Sequence, residues 1–161
     1  MEELSITDIG LDESQASISI EGIPNTPGVA ATIFDATAEA GVVVDMIIQS
    51  YLDQDNVASI TMTVPRNDIE ATVAVLQQLT DDFPGEQKIL CNPAIAIVSV
   101  SGIGMRSHTG VALRMFQALS DAKINIEMMN TSEMRVSIVV NSDLASRAEE
   151  VLAQAFADVH H

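Results

Sequence analysis

The sequence predicts an α+β chain made of two copies of one small unit, each running strand, helix, strand, strand, helix. Three observations predict it. Residues 17–50 and 96–132 align on a shared Gly-Val-Ala; apolar residues alternate in some segments and recur at helical spacing in others; and Gly, Pro and capping residues punctuate the boundaries.

The repeat sets SISIEGIPNTPGVAATIFDATAEAGVVVDMIIQS over AIVSVSGIGMRSHTGVALRMFQALSDAKINIEMMNTS. Gly28, Val29 and Ala30 fall on Gly110, Val111 and Ala112, Phe34 on Phe116, Ala40 on Ala122, and Asp45-Met46 on Glu127-Met128, at an offset of 82. Farther along, ITMTVPRND (60–68) falls on VSIVVNSD (136–143) at an offset of 75, which implies a hairpin seven residues shorter in the second copy.

The elements follow in order. Leu4 to Ile9 is strand-like. Ser17 to Glu21 alternates, with Ile18 and Ile20 on one face, so it is a strand. Pro27 before Gly28 suits a helix start, Val29, Ile33, Ala36 and Ala40 form its apolar stripe, and Gly41 stops it. Strands are expected over 42–50 and 57–64, then a second helix capped by Asn67 or Asp68 and buried through Ile69, Val73, Leu76 and Leu79. A strand over 86–90 closes this copy.

The second copy repeats the pattern: a strand over 95–100, a helix buried through Val111, Met115, Ala118 or Leu119, and Ala122, and strands over 124–130 and 134–140. Ser142 or Asp143 caps a last helix with Leu144, Ala148, Val151 and Leu152 inward. No fourth strand follows, so residues 3–10 are expected to cross over and complete its sheet, giving modules at 15–92 and 93–161. This βαββαβ order is the ferredoxin-like topology, with both helices on one face of an antiparallel sheet and the other face open to a partner.

Composition limits what the modules can do. Hydrophobic residues make up 47% of the chain and aromatics 3%, so the core is built from Ile, Val, Leu, Met and Ala, and Met46, Met62, Met115, Met128, Met129 and Met134 read as core packing rather than metal ligands. A formal net charge of −16 repels nucleic acid and anionic lipid. Cys91 is alone, which precludes an internal disulfide and fits a reducing compartment. MEELSITDIG has neither the basic start nor the apolar run of a signal peptide, no stretch is long enough for a membrane span, and the chain reads as cytoplasmic.

GIGMRSHTGVA (102–112) has the look of a phosphate loop but lacks the Gly-Lys-Ser/Thr ending, and its Arg106 is one cation in an acidic chain. His108 has no nearby Cys and no cluster of His or carboxylates in sequence, so positioning the loop is its expected role. The only lysines are Lys88 and Lys123. No catalytic residue, metal site or cofactor is predicted.

The Pro-Gly-Val-Ala helix start, GIGMRSHTGVA and NIEMMNTSEMRVSIVV resemble the paired ACT domains of aspartate kinase, in particular the regulatory half, or separate β subunit, of the lysine- and threonine-sensitive bacterial enzymes. The resemblance runs from about Ile6 to Phe156. It implies a non-catalytic chain that binds feedback amino acids (threonine and/or lysine), forms a homodimer through its ACT modules, and controls a kinase domain or subunit that phosphorylates aspartate. An ACT-domain sensor of another biosynthetic enzyme or of a transcriptional regulator is the alternative.

The family's effector positions fall on Asn25, Thr26, Pro27, Gly28, Val29, Ala30 and Gln49 in the first copy, and on Asn125, Ile126, Thr131, Ser132 and Glu133 in the second. Met105, Ser107 and His108 join them from the longer second turn, which suits a carboxylate or a neighbouring module. Asn25 stands where the family's turn carries Asp, replacing a charge with a neutral amide, and Ser59 stands where Asp is common. The two sets are expected to meet across a module interface, so that one effector touches both.

Overall fold

The computed structural model describes residues 4–52, 55–105 and 110–160. Its elements are β1 (Ser5–Asp12), β2 (Gln15–Pro24), α1 (Val29–Glu39), β3 (Ile47–Leu52), β4 (Val57–Pro65), α2 (Ile69–Thr80), β5 (Lys88–Asn92), β6 (Ile95–Ile103), α3 (Gly110–Asp121), β7 (Met128–Thr131), β8 (Arg135–Asn141) and α4 (Ala145–Ala155). The described chain forms two ferredoxin-like βαββαβ modules, each an antiparallel four-stranded sheet with two helices: strand order β3-β4-β2-β5 in one, β1-β6-β8-β7 in the other.

The modules are not serial in the chain. Ser14–Pro93 is one compact unit, and residues 1–13 belong with 94–161 in the other. β1 pairs antiparallel with β6, Ile9 opposite Val100 and Leu11 opposite Val98, just as β5 pairs with β2, Ile89 opposite Ile20 and Cys91 opposite Ile18. The N-terminal strand therefore supplies the edge that the second copy lacks. Ile6 is fully buried there, and its N–H also donates to the Val159 carbonyl at 2.8 Å.

Each unit has its own core. In Ser14–Pro93, alternate residues of the central strands (Ile18, Ile20, Ile60, Met62) face Ile33 of α1 and Leu76 of α2. In the other unit Val98, Val100 and Ile138 face Met115, Leu119, Leu152 and Phe156. Each such side chain, fully withdrawn from water, contributes about 1.5–3 kcal/mol.

Several details differ from the sequence reading. Ile60 opposes Ile20 and Val136 opposes Val100, and the short turns Arg66–Asp68 and Ser142–Leu144 also correspond, so the late offset is 76 and the hairpin is six residues shorter. Placing Asp68 over Asp143 displaces the register by one residue. β3 begins at Ile47, because residues 42–46 are held irregularly: the Val42 N–H donates to Thr37 O, and the Met46 N–H to Thr63 Oγ1 at 2.9 Å. Likewise β7 begins at Met128.

Helix faces shift too. Thr37 and Thr72 are buried where apolar residues were expected, each hydroxyl donating to the carbonyl four residues earlier (Ile33 O and Asp68 O, both 2.7 Å), while Ala40 is exposed. That bond satisfies the hydroxyl inside the core. Asn141, rather than Ser142 or Asp143, supplies the capping oxygen, accepting from the Asp143 N–H at 2.9 Å, and Asp68 makes no side-chain cap. Met46, Met62 and Met115 are buried, but Met129 and Met134 are 44% and 64% exposed and lie outside the core.

Candidate functional site

The turn between β2 and α1 is built by a break in the strand. A register shift between Glu21 and Ile23 ends the regular alternation, and the Asn25 N–H donates to Asn56 O at 3.0 Å, fixing the chain's exit from the sheet. Thr26 O accepts from the Val29 N–H, and Gly28, at φ 94°, takes the left-handed conformation that a residue with a β carbon resists, turning the chain into α1.

The helix start is bare. No side chain caps α1 and its first turn holds no acid, so beyond the Val29 N–H, taken by Thr26 O, the positive end of the helix dipole is left without a neutralising side chain. In front lies a cavity of about 380 Å³ lined by Asn25 through Ala30, by Gln49 from β3, and by Ile23 and Pro24 beneath. The turn and Gln49, far apart in sequence, thus meet, because Gln49 opposes Ile60 on the helix-side face of the sheet. N–H donors beside two side-chain amides can hold a small zwitterion, a carboxylate on the former and an ammonium on the amide oxygens. Ile23 and Pro24 were absent from the sequence reading; the pattern broken at Gly22 is the signal that marks them.

The second copy fills its core differently at the end of β6. Met105, expected among effector contacts, is buried in the core, while Ile103 is 48% exposed. In the first copy Ile23 fills the corresponding core space, so Met105 serves as its packing substitute and its side chain is not presented at the surface. Ser107 and His108 lie outside the described residues. Asn125 is exposed and Ile126 packs partly against the core between α3 and β7; Thr131 ends β7 opposite Val136; Ser132, whose N–H donates to Arg135 O at 2.8 Å, and Glu133 form the exposed hairpin tip. Ile47 opposes Met62 and Met129 opposes Ile138, which makes Thr131 the structural counterpart of Gln49.

Among the described residues, no group of three or more His, Cys, Asp or Glu could hold a metal ion, and no helix is long and apolar enough to cross a membrane. Cys91 sits exposed on β5 with its thiol pushed up by partial burial, the opposite of an activated nucleophile.

The ACT domain family signature matches residues 17–79 and 98–156, and the chain belongs to that family. Among curated relatives it is 40% identical over 156 residues to an aspartate kinase of Pseudomonas fluorescens (strain SBW25), covering 97% of this chain and 37% of that protein. It is 37% identical over 153 residues to an aspartokinase of Thermus thermophilus, covering 94% and 37%. The chain thus spans about 37% of the length of these kinases. Among solved structures, the regulatory subunit of aspartate kinase from Thermus thermophilus is similar at TM-score 0.87 and 36% identity, over 94% of this chain and 99% of that one. A chain in the structure of aspartokinase alpha and beta subunits gives 0.86 and 37%, over 95% and 99%. Both ACT repeats together therefore correspond to an aspartate kinase regulatory subunit nearly end to end.

Proposed function

We propose that this chain is a non-catalytic regulatory module of aspartate kinase, which binds feedback amino acids, threonine and/or lysine, at ACT-module interfaces and so controls aspartate phosphorylation. The supporting observation is the likeness to a regulatory subunit over 99% of that subunit's length, with an uncapped helix start and cavity where a small zwitterion fits.

In this reading the α1 N–H groups take the effector's carboxylate, and Asn25 and Gln49 take its ammonium. Asn125, Ile126 and Thr131 to Glu133 complete the site from a second-copy module, with Ser107 and His108 extending it; that module comes from the same chain or from the partner in a homodimer. Met105 contributes packing only. An effector controls the kinase to the extent that it binds one arrangement of the modules more tightly than another, and allosteric couplings of this kind are typically about 5- to 150-fold.

Titration calorimetry of the chain with threonine, lysine and methionine tests binding, and the same amino acids added to the chain together with the kinase portion test control. Saturable heat for threonine or lysine and inhibition in the same concentration range are expected. Absence of both heat and thermal shift at millimolar ligand overturns the proposal. Binding without any effect on aspartate phosphorylation assigns the modules to another enzyme or to a transcriptional regulator.

A further inference from the structure

A second cavity, of about 300 Å³, lies in the Ser14–Pro93 unit and is lined by Glu21 and Gly22 of β2, Ser50 and Tyr51 of β3, and Val57 to Ser59 of β4. Glu21, Ser59 and Ser50 are successive cross-strand neighbours, Glu21 opposite Ser59 and Ser59 opposite Ser50, so they share one face of the sheet. The two serine hydroxyls are bonded to each other at 2.7 Å. Among the described residues the Glu21 carboxylate has no hydrogen-bond or ion-pair partner, although Lys88 stands opposite it on β5. Val57, two residues before Ser59 on β4, lies partly buried on the same face.

The other module shows what this row of positions accommodates. There the residue after Val100 is Ser101, opposite Arg135, as the residue after Ile20 is Glu21, opposite Ser59. Arg135 thus occupies the place of Ser59, and its Nε donates to Ser101 Oγ at 3.2 Å. One module fills the position with a cation of its own; its counterpart leaves a cavity and places a carboxylate beside it.

We propose that this cavity binds the cationic end of a small organic amine, with Glu21 pairing the ammonium, the Ser50 and Ser59 oxygens accepting its remaining hydrogens, and Val57 covering its hydrocarbon portion. The site is separate from the cavity at the start of α1 and does not depend on threonine or lysine binding there.

The test is an amide-resolved NMR titration of the full chain with butylammonium chloride at constant ionic strength, with 1-butanol as the uncharged control. Saturable shifts confined to Glu21–Gly22, Ser50–Tyr51 and Val57–Ser59 are expected, absent with butanol. Glu21→Gln weakens binding about tenfold or more, as expected for loss of a charge-assisted bond. Ser59→Arg, which copies the other module, abolishes it while threonine calorimetry is unchanged. Shifts that grow linearly and spread over acidic residues across the chain overturn the proposal, as does a Glu21→Gln curve identical to wild type. Loss of threonine heat alone, with butylammonium binding intact, counts against the regulatory reading and leaves this site standing.

Discussion

Gly22 and Gly102 occupy the same place in the two modules, Gly22 admitting the backbone just before β5 and Gly102 that of β1: a β carbon on Gly22 would lie 2.5 Å from Glu86 O, and one on Gly102 would lie 2.3 Å from Ser5 O. Both obstacles are backbone atoms, which cannot swing aside. Alanine at either position therefore forces strand and edge apart, at a cost of about 1–3 kcal/mol. Gly22 bears an added penalty because its φ is 78°. Urea denaturation should show each variant's midpoint falling; an unchanged midpoint for Gly102→Ala would mean that β1 is not seated against β6.

Removing the buried side chain at Ile6 tests the crossover strand from the other side. Ile6→Ala leaves a void under β1 and should cost about 2–5 kcal/mol, a large share of the roughly 5–15 kcal/mol that holds a domain together. Hydrogen exchange should then quicken across β1, β6 and α4 while amides of β2 and β4 keep their protection. Equal loss in both units would contradict separate cores.

Asp158 gives a pH signature. Its hydrogen bond from the Arg114 guanidinium, which also lies 5.0 Å over the Phe156 ring, holds the carboxyl below its ordinary value. A lowered folded-state value means stabilisation present above the unfolded value, near pH 4, and lost as pH falls through the folded one. Asp158→Asn should thus lower Tm slightly at pH 7, with the gap to wild type closing as pH falls below the ordinary carboxylate range. A gap independent of pH would show that the pair is not formed in solution.

At the α1 cavity, Gln49→Ala removes one acceptor and should weaken threonine binding about tenfold. In the proposed site, Asn25→Asp sets a negative charge against the effector's ammonium and should strengthen binding. Calorimetry that moved both variants in the same direction would refute the assignment of Asn25 to the ammonium side.

Most of the fold could be read from the repeat. Period-two runs such as Ile18/Ile20 and the 3.6-residue spacing of Val111, Met115 and Leu119 report burial directly, and the missing fourth strand of the second copy pointed to β1. What could not be read turns on satisfied polarity and local geometry. Thr37 and Thr72 are inside because their hydroxyls bond backwards along their helices, a fact invisible to hydropathy. Met105 takes in its module the core place that Ile23 takes in the other, with Ile103 exposed instead, although all three residues are equally apolar. The turn and Gln49 were legible as partners only through the family resemblance, since 18 residues of helix and irregular chain, 29–46, separate the turn from β3.

The route of β1 also makes the first module an insertion. Asp12 lies opposite Ile97 in an antiparallel pair, so the stretch from Ser14 to Pro93 leaves and rejoins the second module at the end of what would otherwise be a plain β-hairpin. Excising it and closing the gap with a turn of two to five residues, an ordinary hairpin length, would leave the second module with all four of its strands and both of its helices. Cutting the chain at residue 93 would instead orphan that half from its own edge. The linear order of the gene and the boundaries of the folded parts therefore diverge, and an exchange of the first module between relatives would proceed by replacing the insert rather than by joining halves.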